Sequence, residues 1–198
     1  PRKTLLLSWP KPLTLVAAPL LAVALHPLVV LLSQQIETMY PLSEETRRAV
    51  MQLTGSMQDA PLWQLVLVIA LFAAVCEEIA FRGFVLSGLR HLGNKWTAIG
   101  ISSIFFGVTH GMLQQSLSAA VVGVVLGYVA IQTGSLLPAV VFHLTHNSLA
   151  VLISRILPEA TERFSWLQWL ITPSHDLAAA PTYHWLVLLV SVLASLGL

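Results

Sequence analysis

Residues 73–84 read AAVCEEIAFRGF and place three charged side chains, Glu77, Glu78 and Arg82, in an otherwise apolar stretch. No charged residue precedes them from Pro61 onward. Ionisable groups at membrane depth are costly and therefore rare, so their presence in a membrane helix indicates a functional role. The stretch predicts a transmembrane helix that carries a functional polar site.

The spacing of these charges separates them into two groups. Glu78 and Arg82 are four residues apart and share one helix face, with the acid N-terminal to the base, the better orientation for an ion pair. Glu77 lies about 100° away around the helix and faces elsewhere. We therefore expect a structural Glu78–Arg82 ion pair. The Glu77 carboxylate is left for chemistry or for a partner on another helix.

The composition is that of a polytopic membrane protein. Of the 198 residues, 56% are hydrophobic and only 10% are charged, whereas soluble domains carry about 25% charged residues. The length suits one domain. Because the sequence begins with Pro1, we expect a fragment or processed form of a longer chain. The single Cys76 excludes an internal disulfide and a cysteine-based zinc site. A net charge of +1 without a basic cluster argues against a nucleic-acid partner.

Apolar runs long enough to cross a bilayer predict an all-α, polytopic transmembrane helix bundle of about six spans with no sheet. The predicted spans are 13–32, 62–89, 96–113, 117–132, 136–153 and 183–198. Two polar connections, 34–60 and 155–181, separate them. In the first connection, Ser43 is typical of an N-cap that opens a short amphipathic helix.

The distribution of basic residues predicts the orientation in the membrane. Arg2, Lys3 and Lys11 precede the first span, and Arg90 and Lys95 lie between the second and third, with no acid in either place. Basic residues concentrate on the cytoplasmic side of membrane proteins. We therefore expect a multi-pass protein with cytoplasmic N- and C-termini.

Two further predicted spans carry polar motifs, FGVTH at residues 106–110 and HLTHN at residues 143–147. His143 and Asn147 share a helix face, and His146 lies on a neighbouring one. At 1.5 Å per residue, Glu77 and His110 both lie about 20 Å from the predicted cytoplasmic end, and Asn147 lies about 16 Å from it. Residues from three helices can therefore meet in one polar cavity within the membrane.

These three motifs in this order resemble a known family. EExxxR at residues 77–82, FxxxH at 106–110 and HxxxN at 143–147 are similar to the CPBP family, the CAAX proteases and bacteriocin-processing enzymes. That family includes the type II CAAX prenyl endopeptidases. The resemblance covers residues 61–153 and implies a single intramembrane protease domain over residues 1–198.

The resemblance also implies roles for individual residues. Glu77 and His110 would activate the attacking water, and His143 and Asn147 would stabilise the oxyanion of the tetrahedral intermediate. We expect structural or supporting roles for Glu78, Arg82, Phe106 and His146. The implied partners are the lipid bilayer and a membrane-bound or lipid-modified peptide or protein substrate.

The sequence leaves two alternatives open. We favour a mechanism without a cofactor, because the chain lacks the HExxH pattern that preforms a zinc face. The alternative cofactor is zinc, held by Glu77, His110 and His143. The alternative function is a non-proteolytic membrane protein, such as an immunity factor, a transporter-associated subunit or a carrier, that uses the same cavity.

Overall fold

The computed structural model describes residues 5–91, 93–174, 176 and 178–198. Within these residues the chain forms helices α1 Pro12–Met39, α2 Glu44–Ser56, α3 Leu62–Leu89, α4 Lys95–Val108, α5 Leu113–Thr133, α6 Leu136–Arg163 and α7 Trp185–Gly197. A 3₁₀ turn, Ser165–Trp169, precedes strands β1 Ile171–Thr172 and β2 Thr182–Tyr183. The strands pair antiparallel, with Ile171 opposite Tyr183.

The expectation of a fold without any sheet is therefore wrong in one detail. This short hairpin runs from the second polar connection to Tyr183, the first residue of the predicted sixth span, and its paired positions are isoleucine, threonine and tyrosine, which favour extended backbone. The expectation of a helical membrane bundle is confirmed.

Four helices, α1, α3, α5 and α6, are long and apolar enough to cross a membrane. The other two apolar helices, α4 and α7, have 14 and 13 residues, fewer than the roughly 20 that a span needs. Large apolar side chains point outward, including Phe84 (74% exposed) and Val108 (66% exposed). An outward apolar surface of this kind is stable when lipid covers it. The chain is thus an integral membrane protein, although six full spans are not established.

The first polar connection is shorter than expected, because α1 continues to Met39 instead of ending at residue 32. The predicted amphipathic helix is α2, and Ser43 caps it by accepting a hydrogen bond from the Thr46 amide. Arg47 on α2 forms ion pairs with Glu37, at 3.1 Å, and with Asp176. These pairs join α2 to the end of α1 and to the loop between β1 and β2.

Helix α3 contains two wide, π-helical stretches, Val66–Phe72 and Ile79–Leu86. Side chains of neighbouring helices bond to backbone carbonyls within them: Asn147 Nδ2 donates to the Ile69 oxygen at 3.2 Å, and Ser102 Oγ donates to the Phe81 oxygen at 2.9 Å. Such π-helical turns often occur at functional sites. In α3 they flank the segment Ala73–Glu78, which carries both acids.

Close packing of α4 on α5 depends on glycine. A Cβ atom at Gly107 would collide with the Ser116 carbonyl oxygen, and one at Gly123 would lie 3.0 Å from Ser103 Cβ. The Gly123–Gly127 pair therefore contacts α4 of the same chain. This contact places the Gly123 carbonyl within reach of α3.

The N-terminal segment and α6 begin at the same end of the bundle. Leu6 is 1% exposed, and its carbonyl accepts a hydrogen bond from the Leu136 amide at 2.8 Å. The orientation of this end relative to the membrane stays a prediction, and two of its supporting residues, Arg2 and Lys3, lie outside the described residues.

Candidate active site

A fully buried ion pair anchors the polar site. Arg82 Nη1 donates to Glu78 Oε1 at 2.7 Å, and both side chains are 0% exposed. Arg82 Nη2 also donates to the Gly123 carbonyl at 3.1 Å. The ion pair expected from the spacing is present within α3, and the hydrogen bond from Arg82 to Gly123 joins α3 to α5.

Glu78 has a second partner that the sequence analysis missed. His143 Nδ1 lies 2.9 Å from Glu78 Oε1, the oxygen that also accepts from Arg82. Because a carboxylate paired with arginine acts as an acceptor, Nδ1 carries the hydrogen and donates it. This bond fixes the ring of His143 and leaves Nε2 for other contacts.

Glu77 lies on the Nε2 side of the same ring. Its Oε2 is 3.7 Å from His143 Nε2, and its side chain is 32% exposed, in contrast to the buried Glu78. The two adjacent acids therefore contact the two nitrogens of one imidazole. Glu77 is the accessible member of the pair.

His110 lies beyond the end of α4, which stops at Val108, so it belongs to the connection to α5 and not to a span. Gly111 follows with φ +76°, a conformation that favours glycine and that turns the chain. His110 Nδ1 donates to the Phe106 carbonyl at 3.0 Å, since a carbonyl oxygen can only accept. The Nε2 atom of His110 forms no hydrogen bond with the described residues.

Phe106 connects the two histidines. Its ring lies edge-on to His110 at 5.0 Å and to His143 at 5.7 Å between ring centroids. The Arg82 guanidinium lies 4.4 Å from the centre of the same ring. The aromatic side chain thus fixes the positions of both imidazoles relative to the buried ion pair.

Asn147 lies one turn beyond His143 on α6. Its Nδ2 donates one hydrogen to the Ile69 carbonyl of α3, as described above, which leaves the second amide hydrogen for another acceptor. His146 faces α1, where its ring lies 4.9 Å from that of the buried His26 and stacks on Phe142. His26 is a neighbour of the site that sequence spacing could not reveal.

Comparison with known proteins adds an independent finding. The family model described as type II CAAX prenyl endopeptidase Rce1-like matches residues 59–149. Residues 59–149 are thus similar to that family and are called the Rce1-like domain below. The resemblance to the CAAX proteases that the three motifs predicted is confirmed over these residues. No curated protein and no solved structure matches the chain.

The Rce1-like domain includes every residue of the three polar motifs. The structure brings Glu77, Glu78 and His143 into direct contact and joins His110 to them through Phe106. It places Asn147 on the same helix face as His143, against α3. The catalytic roles predicted for these residues are proposals, taken up below.

The alternative zinc site can be tested against this geometry. Within the described residues, no three His, Cys, Asp or Glu side chains are placed to hold a metal ion. His143 Nδ1 and His110 Nδ1 are both bonded to protein acceptors, which leaves the two Nε2 atoms free, as in histidines that bind metals. The mechanism without a cofactor therefore stays a prediction, with zinc held by Glu77, His110 and His143 as its alternative, and we derive no step through a metal.

Proposed function

We propose that this chain is an intramembrane endopeptidase that hydrolyses a peptide bond of a membrane-bound substrate. One observation carries the proposal: an accessible carboxylate, Glu77, lies 3.7 Å from a histidine nitrogen whose ring a buried acid holds in place. The Rce1-like match supports the same reaction class.

In the proposed reaction, Glu77 takes a proton from a water molecule while the water oxygen attacks the scissile carbonyl carbon. Nε2 of His110 accepts a hydrogen bond from the other O–H of this water and thereby orients it. A C–O bond forms, and the carbonyl electron pair moves onto oxygen. The C–N bond then breaks as Glu77 returns its proton to the leaving amine.

His143 and Asn147 are the proposed donors to the oxyanion. His143 donates through Nε2 when both ring nitrogens carry hydrogen, since Nδ1–H remains bonded to Glu78. Asn147 donates the amide hydrogen that Ile69 does not use. Donors preorganised for a developing oxyanion contribute about 3–4 kcal/mol each to transition-state stabilisation.

Glu78 and Arg82 are proposed to position His143 and not to react. Glu78 sets the tautomer and the rotation of the ring, and Arg82 compensates the buried carboxylate. Phe106 keeps His110 and His143 at a fixed separation by packing between them.

Cleavage of a peptide library by purified protein tests the proposal. Wild type should cut, and Glu77→Gln should lose activity, because glutamine cannot accept the proton from water. Glu159→Gln is the matched control: it makes the same chemical change at an exposed position of α6 and should keep full activity.

Equal cleavage by wild type and Glu77→Gln would exclude this mechanism. Absence of cleavage by every variant, with intact folding, would favour the alternative of a non-proteolytic membrane protein that uses the same residues for binding.

A further inference from the structure

A cavity of about 330 Å³ opens between α2, the start of α3, the second half of α6 and the loop that follows β1. Its lining includes Met57, Ile69, Val151, Ser154, Arg155 and Pro158. Cavities of this size hold small ligands or short peptide segments. None of the roles proposed above uses it.

The cavity continues the face of α6 that carries the site. Val151 and Ser154 follow Asn147 by four and seven residues, which places them within about 40° of it around the helix. Ser154 lies about 10 Å further along the helix axis than Asn147. The Ile69 residue that accepts from Asn147 also lines the cavity, so the cavity and the candidate site share a wall.

Arg155 gives this mostly apolar cavity a positive charge. Its Nη1 donates to the Met57 carbonyl at 3.1 Å, a contact that fixes the guanidinium but does not neutralise it. Among the described residues, Arg155 forms no ion pair. Asp176, the acid in the lining, is paired with Arg47 instead. The remaining guanidinium N–H groups are therefore available to an anionic group of a ligand.

We propose that this cavity is a substrate subsite that binds an apolar peptide segment carrying a carboxylate, with Arg155 as the carboxylate-binding residue. The apolar walls fit the peptide side chains, and the guanidinium fits the carboxylate. The carboxylate can be a chain end or an acidic side chain. The subsite rests on the proposed function, because the shared helix face leads a bound peptide from the cavity towards Glu77 and His143.

Binding of short peptides in a neutral detergent tests the subsite. The probes are one N-acetylated apolar tetrapeptide as free acid, the same peptide as C-terminal amide, and an amide with one internal glutamate. All proteins carry Glu77→Gln, so that no probe is cut. Four such proteins are compared: one with no further change, one with Arg155→Gln, one with Arg155→Lys, and a control with Arg163→Gln. The control removes an exposed arginine at the end of α6.

With Arg155 intact, at least one anionic probe should bind about 10-fold more tightly than the neutral amide, as expected for a charge-assisted hydrogen bond. Arg155→Gln should abolish this preference, Arg155→Lys should keep part of it, and Arg163→Gln should keep all of it. Preference for the free acid identifies a chain end as the ligand, and preference for the glutamate probe identifies a side chain.

Equal binding of acid and amide, no binding of any probe, or an unchanged preference in Arg155→Gln overturns the subsite. The subsite is also overturned if phosphatidylglycerol displaces the bound anionic probe, since a lipid phosphate would then be the occupant. Peptide cleavage is measured separately, with the protein that keeps Glu77. If this protein cleaves peptides but the anionic probes bind no more tightly than the neutral amide, only the subsite proposal fails. If the anionic probes bind more tightly but no peptide is cleaved, only the protease proposal fails.

Discussion

Arg82→Ala should lower the free energy of unfolding by about 3–5 kcal/mol, the usual loss when one partner of a buried ion pair is removed. Arg82 and Glu78 are both fully buried and 2.7 Å apart. The substitution leaves the Glu78 carboxylate with His143 as its one remaining partner in the described structure. It also removes the hydrogen bond to the Gly123 carbonyl and the contact with the Phe106 ring.

The assay is reversible unfolding of the purified protein in mixed detergent and SDS micelles, followed by circular dichroism. Arg163→Ala is the control, since a substitution at an exposed position changes stability by about 0.5 kcal/mol or less. A double variant, Glu78→Met with Arg82→Met, should recover part of the loss, because no unpaired buried charge remains.

Unchanged stability of Arg82→Ala together with complete loss of cleavage would refute this reasoning. Arg82 would then act on the substrate directly. Equal destabilisation of Arg82→Met and the double variant would instead assign the loss to packing and not to the uncompensated Glu78 charge.

Further predictions concern packing, chemistry and topology. Gly107→Val should cost about 1–3 kcal/mol of stability, because its Cβ collides with the Ser116 carbonyl, whereas Gly100→Val, where the space is open, should cost less; equal losses would contradict the packing argument. Asn147→Ala should lower kcat about 10²–10³-fold with little change in KM, and a change in KM alone would remove it from the oxyanion site. Cleavage should survive exhaustive chelation, and loss that added zinc restores would return the metal alternative. Green fluorescent protein fused to the C-terminus should fluoresce in a bacterial host, and active alkaline phosphatase at that position would reverse the predicted orientation.

Features that depend on local spacing could be read from the sequence. The four-residue interval between Glu78 and Arg82 predicted their ion pair, because residues one turn apart on a helix are neighbours whatever surrounds them. Ser43 predicted the start of α2 for the same reason, since an N-cap bonds within its own first turn. Long apolar runs predicted the four spanning helices, because a bilayer requires all backbone groups to be paired within the segment.

Features that depend on contacts between distant segments could not be read in this way. Side chains of α4 and α6 donate hydrogen bonds to backbone carbonyls in the π-helical stretches of α3, and no local sequence pattern in α3 predicts these bonds. The contact between His143 and Glu78 joins residues that are 65 positions apart in the sequence. The depth estimate brought Glu77, His110 and Asn147 to similar heights, but height alone does not decide which side chain turns towards which acid.

The position of His110 shows how a local turn changes an expectation drawn from hydropathy. The apolar run continues to residue 113, so hydropathy averaged along this stretch extends the predicted span through His110. The helix nevertheless ends at Val108, where Thr109 Oγ1 and His110 Nδ1 both donate to the Phe106 carbonyl. These side-chain bonds satisfy a carbonyl that the next helical turn would otherwise use, and Gly111 then reverses the chain.

The two adjacent acids differ because of what each one contacts. Glu78 Oε1 accepts from both Arg82 and His143 in a site closed to solvent, so this carboxylate is held in one orientation and has no access to a substrate. Glu77 Oε2 lies 3.7 Å from His143 Nε2, and part of the Glu77 surface is open. Water can therefore reach Glu77 directly, whereas Glu78 is closed to it. In the proposed mechanism the acid at position 78 positions the imidazole and the acid at position 77 reacts, and the approach of both to His143 places them on the side of α3 that faces α6.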